Sequence, residues 1–226
     1  MPKVCIVIAA FNEERVIGTV VTDLKKAGFS HIIVVDDGSK DRTSEVARAA
    51  NARVVRHVIN RGQGAALRTG IDAALEEKAD AIVTFDADGQ MRSQDIEGML
   101  TPVLKGEVDV VLGSRFIQQG SNVPVMRRFW LRMGALLFRM LYGVQVTDSH
   151  CGFRVFSRRA AEKIQITADR MEHASEIIDQ ISKHRLRYVE MPVVIQYTAY
   201  SKAHSTQGSF PALRIFVKTL AHKFLR

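Results

Sequence analysis

Two cysteines, Cys5 and Cys151, are all that the 226 residues contain. They make no disulfide framework and no zinc-binding spacing, and they fit a reducing cytosol. Long apolar runs are missing too: none approaches the roughly 18 residues that a membrane-spanning helix needs. No signal peptide is read, because Met1-Pro2-Lys3 runs straight into a short strand-like segment. A soluble or peripheral protein is therefore expected. There is no internal repeat, low-complexity tract or flexible linker. His150, His173 and His184 show no metal-ligand spacing. The aromatic–basic interleaving of common RNA-binding modules is absent, as is any helix-turn-helix cue, which argues against a nucleic-acid partner. What is present is enough chain for one α/β domain, with 46% hydrophobic residues to build an ordinary core.

The net charge of +8 is unevenly spread. Residues 1–114 carry 14 basic and 17 acidic side chains, whereas residues 115–226 carry 18 and 7. The acidic half can hold a cation. The basic half suits phosphates, an anionic membrane surface or nucleic acid.

Strand-like and helical patterns alternate with short links. Val4 to Ala10 is a continuous apolar run, as expected of a strand buried on both faces. Asn12 is placed as the N-cap of a helix with Val16, Val20 and Leu24 inward, ended by Gly28. A strand over 31–35 runs into Asp36-Asp37-Gly38-Ser39, and Ser39 or Asp41 is set to cap a helix over about 42–50. A short strand at 53–57 leads to the glycine loop Asn60-Arg61-Gly62-Gln63-Gly64 and a helix. The loop lacks a third glycine where a dinucleotide fingerprint wants one, and a close helix–sheet contact is its expected role. Residues 79–85 form a fourth strand, followed by a helix near 93–104 and a strand at 108–112. Helices near 158–164 and 172–184 and a strand at about 186–196 complete the pattern. Such alternation predicts an α/β fold, a Rossmann-like, mostly parallel sheet with helices on both faces.

The chemistry gathers at Phe85-Asp86-Ala87-Asp88-Gly89-Gln90, where the fourth strand ends. Two carboxylates one residue apart repel unless a cation joins them. A hard divalent ion takes one or two carboxylates plus substrate phosphate oxygens. The competing reading is a solvated acidic turn. Two more polar clusters, Asn12-Glu13 and Asp36-Asp37, fall at strand carboxyl ends, where ligands bind in open α/β sheets. Three acidic turns on one edge are costly unless they share a ligand.

Taken in order, Ala9-Ala10-Phe11-Asn12-Glu13, Val35-Asp36-Asp37-Gly38-Ser39, Asn60-x-Gly62-x-Gly64, Asp86-Ala87-Asp88-x-Gln90, Gly113-Ser114-Arg115 and Gly152-Phe153-Arg154 resemble family 2 glycosyltransferases. The resemblance is to the dolichyl-phosphate mannose synthase and undecaprenyl-phosphate glycosyltransferase branch, and it covers about residues 3–196. It implies a GT-A fold over residues 1–226, a nucleotide-diphosphate sugar such as GDP-mannose or a UDP-hexose, Mg²⁺ or Mn²⁺, and inversion at the anomeric carbon. Residues 1–114 then form the donor half and residues 115–226 the acceptor half. Ala9, Phe11 and Glu13 match the segment beside base and ribose, with Ala9 and Phe11 where the family usually has Pro and Tyr. Val35 and Asp37 match nucleoside contacts; the other reading of Asp37, taken alone, is a helix N-cap. Asp86, Ala87 and Asp88 match the metal and diphosphate turn, and Gln90 a further metal ligand. Arg115 matches a phosphate-region arginine, whose other reading is a surface ion pair. Asp88 and Arg115 are thus the expected catalytic groups.

The acceptor decides whether a base is needed. A sugar hydroxyl must lose a proton, whereas a polyprenyl phosphate is already ionised. The chain lacks the Thr-Glu-Asp base and the Gln-x-x-Arg-Trp motif of processive members. Asp148 is the candidate base or orienting group, or else a turn residue. A phosphate acceptor is therefore favoured. Residues 125–141 form a basic amphipathic helix on which Arg128 and Arg132, one turn apart, could meet the lipid phosphate. Residues 209–226 form a second. Either could instead pack on its own domain or a second copy. The expectation is peripheral attachment at the cytoplasmic face of the membrane, directly or through an anchoring protein. A hydroxyl acceptor with Asp148 as base is the alternative, and a nucleic-acid-binding protein a remote one.

Overall fold

The computed structural model describes residues 2–117, 144–148 and 150–196. The apolar runs become the centre of a seven-stranded sheet. In chain order its strands are β1 (Val4–Ala10), β2 (His31–Asp36), β3 (Arg53–Arg56), β4 (Ala81–Asp86), β5 (Val110–Ser114), β6 (Arg154–Ser157) and β7 (Tyr188–Pro192). They lie in the spatial order β3-β2-β1-β4-β6-β5-β7. β1 is central, with Ile8 level with Val34 of β2 on one side and Phe85 of β4 on the other, both pairings parallel. Among the described residues six helices flank the sheet: α1 (Ile17–Lys26), α2 (Thr43–Ala49), α3 (Gln63–Glu76), α4 (Asp95–Leu104), α5 (Arg158–Lys163) and α6 (His173–Lys183).

Alternation along each strand assigns the faces. Ile6 and Ile8 point into a core shared with α1, α2 and α4, where Val20, Val21, Leu24, Ala47 and Met99 are buried. Cys5 and Val7 point to the opposite core, built with Leu67 and Ile71 of α3, Ala160 of α5 and Ile177 and Ile178 of α6. Gly70 lets α3 settle on this face: a Cβ there would lie 2.2 Å from Val7 Cγ1 and 3.2 Å from Val35 Cγ2. The close helix–sheet contact expected of the 60–64 glycines is thus made by Gly70. Gly62 and Gly64 instead admit another loop, since a Cβ on them would lie 2.4 Å from the Asp169 carbonyl oxygen and 2.0 Å from that of Ala168.

The strand missing from the sequence reading is β6. It runs antiparallel between β4 and β5, with Arg154 level with Thr84 on one side and Leu112 on the other. It is fastened by a Phe85–Phe153 edge-to-face contact at 5.3 Å and by Thr84 Oγ1 donating to the Gly152 carbonyl at 2.7 Å. The first helix also departs from expectation. Asn12 has a left-handed φ of 56° and is not an N-cap; α1 begins at Ile17. The Asn12 amide oxygen accepts from Lys40 N at 2.9 Å, tying the turn after β1 to the turn after β2. Asp41 accepts from Thr43 N at 3.0 Å just ahead of α2. The two basic helices expected at 125–141 and 209–226 lie outside the described residues.

Candidate active site

The carboxyl ends of β1, β2, β4 and β5 share one edge of the sheet. Because β6 is antiparallel, its beginning reaches that same edge and brings Gly152 and Arg154 with it. A cavity of about 400 Å³ opens there. Ala9, Phe11, Glu13, Asp37, Asp86, Ala87, Asp88, Gln90 and Arg115 all line it. Phe11 lines the cavity and is 42% exposed. Val35 is a correction. Its side chain is fully buried in the core beneath α3 and cannot touch a ligand.

Asp86 ends β4, and Gly89, at φ +70°, turns the chain so that Asp88 faces the same cavity. Asp88 Oδ1 accepts from Gln90 N at 3.0 Å, which fixes the turn. Asp86 Oδ1 accepts from Gln63 Nε2 at 3.2 Å. Gly152 clears the space on its other side: a Cβ there would stand 2.8 and 2.9 Å from the two Asp86 oxygens. Burial, then the neighbouring charge of Asp88, push the Asp86 carboxyl up to about 7, against the pull of Arg154 and Arg115. A cation shared by both carboxylates would offset that repulsion. Among the described residues no group of three His, Cys, Asp or Glu side chains forms a metal site. Asp86, Asp88 and Gln90 line the cavity together and, as two carboxylates and an amide, have the oxygen donors that would hold a hard divalent ion.

The acidic turn after β2 does different work: its carboxylates are satisfied within the protein and do not require a shared ligand. Asp36 is fully buried and accepts from Ser39 N at 2.8 Å and from the Ser44 hydroxyl. Asp37 accepts from Arg61 N at 3.0 Å, Gly62 N at 2.6 Å and His57 Nδ1 at 2.7 Å. It anchors the glycine loop along the cavity wall while keeping an edge on the cavity.

Arg115 and Asp148 form a buried two-pronged pair, with Nε to Oδ2 at 2.5 Å and Nη2 to Oδ1 at 2.6 Å. The surface ion pair considered for Arg115 is therefore replaced by a buried one. Despite its burial, the Asp148 carboxyl is held below the usual carboxylate range by the Arg115 guanidinium. A carboxylate with both oxygens on an arginine is a poor proton acceptor. Glu190 of β7 braces this arrangement, its Oε1 accepting from Thr147 N at 2.8 Å and Asp148 N at 3.1 Å. Arg128 and Arg132 lie outside the described residues.

The lining residues that were not among the expected site residues include Gln63, Arg154, Met171 and His173. Arg154 is 3% exposed, and its charge acts on both Asp86 and Asp148. Its place in the Gly152-Phe153-Arg154 motif was the available signal. Gln63 occupies an unspecified position of the Asn60-x-Gly62-x-Gly64 motif, and Met171 and His173 belong to a segment with no motif of its own. Cys151, also on the wall, has its thiol pushed up to about 12, mainly by burial, and stays protonated.

Residues 5–165 match the family described as Glycosyl transferase family 2. A UDP-N-acetylglucosamine–dolichyl-phosphate N-acetylglucosaminyltransferase of Methanococcus voltae is 33% identical over 239 residues, covering 96% of this chain and 95% of that protein. A polyprenol monophosphomannose synthase of Mycolicibacterium smegmatis is 33% identical over 177 residues, covering 74% and 66%. The fold matches that of glucosyl-3-phosphoglycerate synthase from Mycobacterium tuberculosis in complex with Mn²⁺, UDP-glucose and phosphoglyceric acid. The TM-score is 0.75 at 20% identity, over 97% of this chain and 78% of the other. No helix among the described residues is long and apolar enough to cross a membrane.

Proposed function

The chain belongs to glycosyl transferase family 2, and from that premise we propose that it moves one hexose from a nucleotide-diphosphate sugar to a polyprenyl phosphate, with inversion. The observation that carries this reading is the Asp86–Asp88 pair on the cavity floor, beside Arg115 locked by Asp148. Phe11 receives the base on its exposed ring, while Ala9, Glu13 and Asp37 border the nucleoside. Asp86, Asp88 and Gln90 face the diphosphate. Mg²⁺ or Mn²⁺ bound there supplies charge neutralisation to the departing nucleoside diphosphate. Arg115 adds a fixed positive charge on the same wall, worth most in a site screened from water.

The acceptor follows from what Asp148 can do. A hydroxyl acceptor needs a base, and Asp148 is committed to Arg115 with both oxygens. An ionised lipid phosphate needs none, so Asp148 serves here as a positioning residue. Relatives named for dolichyl-phosphate and polyprenol substrates support this choice. Arg128 and Arg132 are the residues offered to the lipid phosphate, with the chain lying peripherally on the cytoplasmic face.

Incubation with Mn²⁺, labelled UDP- or GDP-hexoses and either dolichyl or undecaprenyl phosphate should yield a labelled, solvent-extractable lipid. Labelling of a sugar hydroxyl acceptor with no labelled lipid would reject the phosphate acceptor and restore Asp148 as base.

A further inference from the structure

His173 lines the cavity yet has no part in the scheme above. It opens α6 and is 3% exposed. Its Nδ1 lies 2.7 Å from the Arg170 carbonyl oxygen. A carbonyl can only accept, so Nδ1 carries the proton and Nε2 keeps a lone pair. Burial and the Arg154 charge push the ring down to about 4, which keeps it neutral near pH 7. Among the described residues Nε2 has no hydrogen-bond partner. Among those residues, too, no buried side-chain nitrogen or oxygen lacks a partner. Nε2 is therefore open to the cavity. The ring is also fixed at its root: a Cβ on Gly64 would lie 3.0 Å from His173 Cβ.

The order of strands shows what such an acceptor would meet. Phe11 and Asp37, beyond β1 and β2, mark the nucleoside end. Asp86 and Asp88, beyond β4, mark the diphosphate. The next strand in the same direction is β6, whose Gly152 and Arg154 line the cavity. His173 belongs to this third region, close enough to Arg154 for that charge to act on it. The sugar hangs from the phosphate farther from the nucleoside and falls there.

We propose that His173 Nε2 is a specificity-determining acceptor that takes a hydrogen bond from one O–H or amide N–H of the hexose being transferred. This rests on the nucleotide-sugar reading above. A neutral acceptor with a fixed tautomer selects for a sugar that places a donor opposite it, because a sugar without one leaves a buried polar atom unmatched.

The test is a binding cycle on the full chain with Mn²⁺, using UDP and GDP alone, the best-bound nucleotide hexose, and that sugar's monodeoxy analogues. His173→Phe keeps a ring and removes the acceptor; His173→Gln can return an amide oxygen near the Nε2 position. His173→Phe should bind the nucleoside diphosphate as the parent does and lose about tenfold in affinity for the intact sugar nucleotide. One deoxy analogue should lose about tenfold with the parent and nothing further with His173→Phe, and His173→Gln should recover part of the loss. If His173→Phe does not fold, the same cycle on His173→Gln should show a smaller preference for the intact sugar over that one analogue. Equal losses for the diphosphate and every sugar, or no analogue that separates parent from variant, would overturn the proposal. A parent that binds neither UDP nor GDP with Mn²⁺ would instead overturn the underlying nucleotide-sugar reading, and this inference with it.

Discussion

Replacing Gly152 by alanine tests the cation site without removing a charge. The new methyl would stand 2.8 and 2.9 Å from the two Asp86 oxygens, with the Asp86 carboxyl carbon next at 3.2 Å. Ordinary contact begins near 3.4 Å, so the carboxylate must retreat by about 0.6 Å. Metal ligation tolerates only about 0.2 Å. Disturbing groups that orient metal ligands typically costs about 10- to 100-fold in metal affinity. Gly152→Ala should therefore weaken Mn²⁺-dependent binding of the sugar nucleotide by about 10- to 100-fold, or roughly 1.4 to 2.8 kcal/mol. Stability should barely change, because the three nearest atoms all belong to one side chain bordering the cavity. Isothermal titration in Mn²⁺ and in EDTA, beside a melting curve, separates the two effects. Unchanged Mn²⁺-dependent affinity would refute the assignment of Asp86. A melting point lower by many degrees would trace the loss to the fold instead.

Asp148→Asn should destabilise by about 3 to 5 kcal/mol in urea, because Arg115 is left buried with its charge unmatched. The Asp148 pKa is depressed in the fold. Its stabilisation is therefore present above the unfolded value near 4 and is lost as pH falls through the folded value. The parent's urea midpoint should drop below about pH 4, and that of Asp148→Asn should drop less. A variant of unchanged stability that loses the acidic limb of its rate profile would mark Asp148 as a base. Gly70→Ala drives a methyl to 2.2 Å from Val7 Cγ1 and should cost about 1 to 3 kcal/mol by chemical denaturation. Phe11→Ala should leave the urea midpoint within about 0.5 kcal/mol and weaken nucleotide binding by about 1 to 3 kcal/mol, the usual worth of a base–aromatic stack. Equal affinity by titration would remove Phe11 from the base site.

The parts of the fold that were legible in the sequence are those a local pattern determines. β1, β2 and β4 are buried on both faces and appear as unbroken apolar runs. β6 is just as buried, but it is four residues long and Arg154 occupies its first position, so no run stands out. Arg154 is tolerated there because Asp86 and Asp148 surround it with opposite charge, a tertiary fact invisible along the chain. Asn12 looked like a helix cap, yet it serves a turn closed by Ser39 and Lys40, 27 and 28 residues away. Motif order picked out nine residues that line one cavity. It could not reveal that Val35 faces inward, that Asp37 holds a loop, or that Asp148 is spent on Arg115. Each of those depends on what lies across the sheet.

The reversed direction of β6 has a further consequence. The chain leaves β5 beside Arg115 and re-enters the sheet through Gly152, and both residues border the cavity. The stretch of sequence between them thus starts and finishes at the same rim. A change of length within that stretch would leave the order and direction of the seven strands as they are, and would be felt first at the cavity rim.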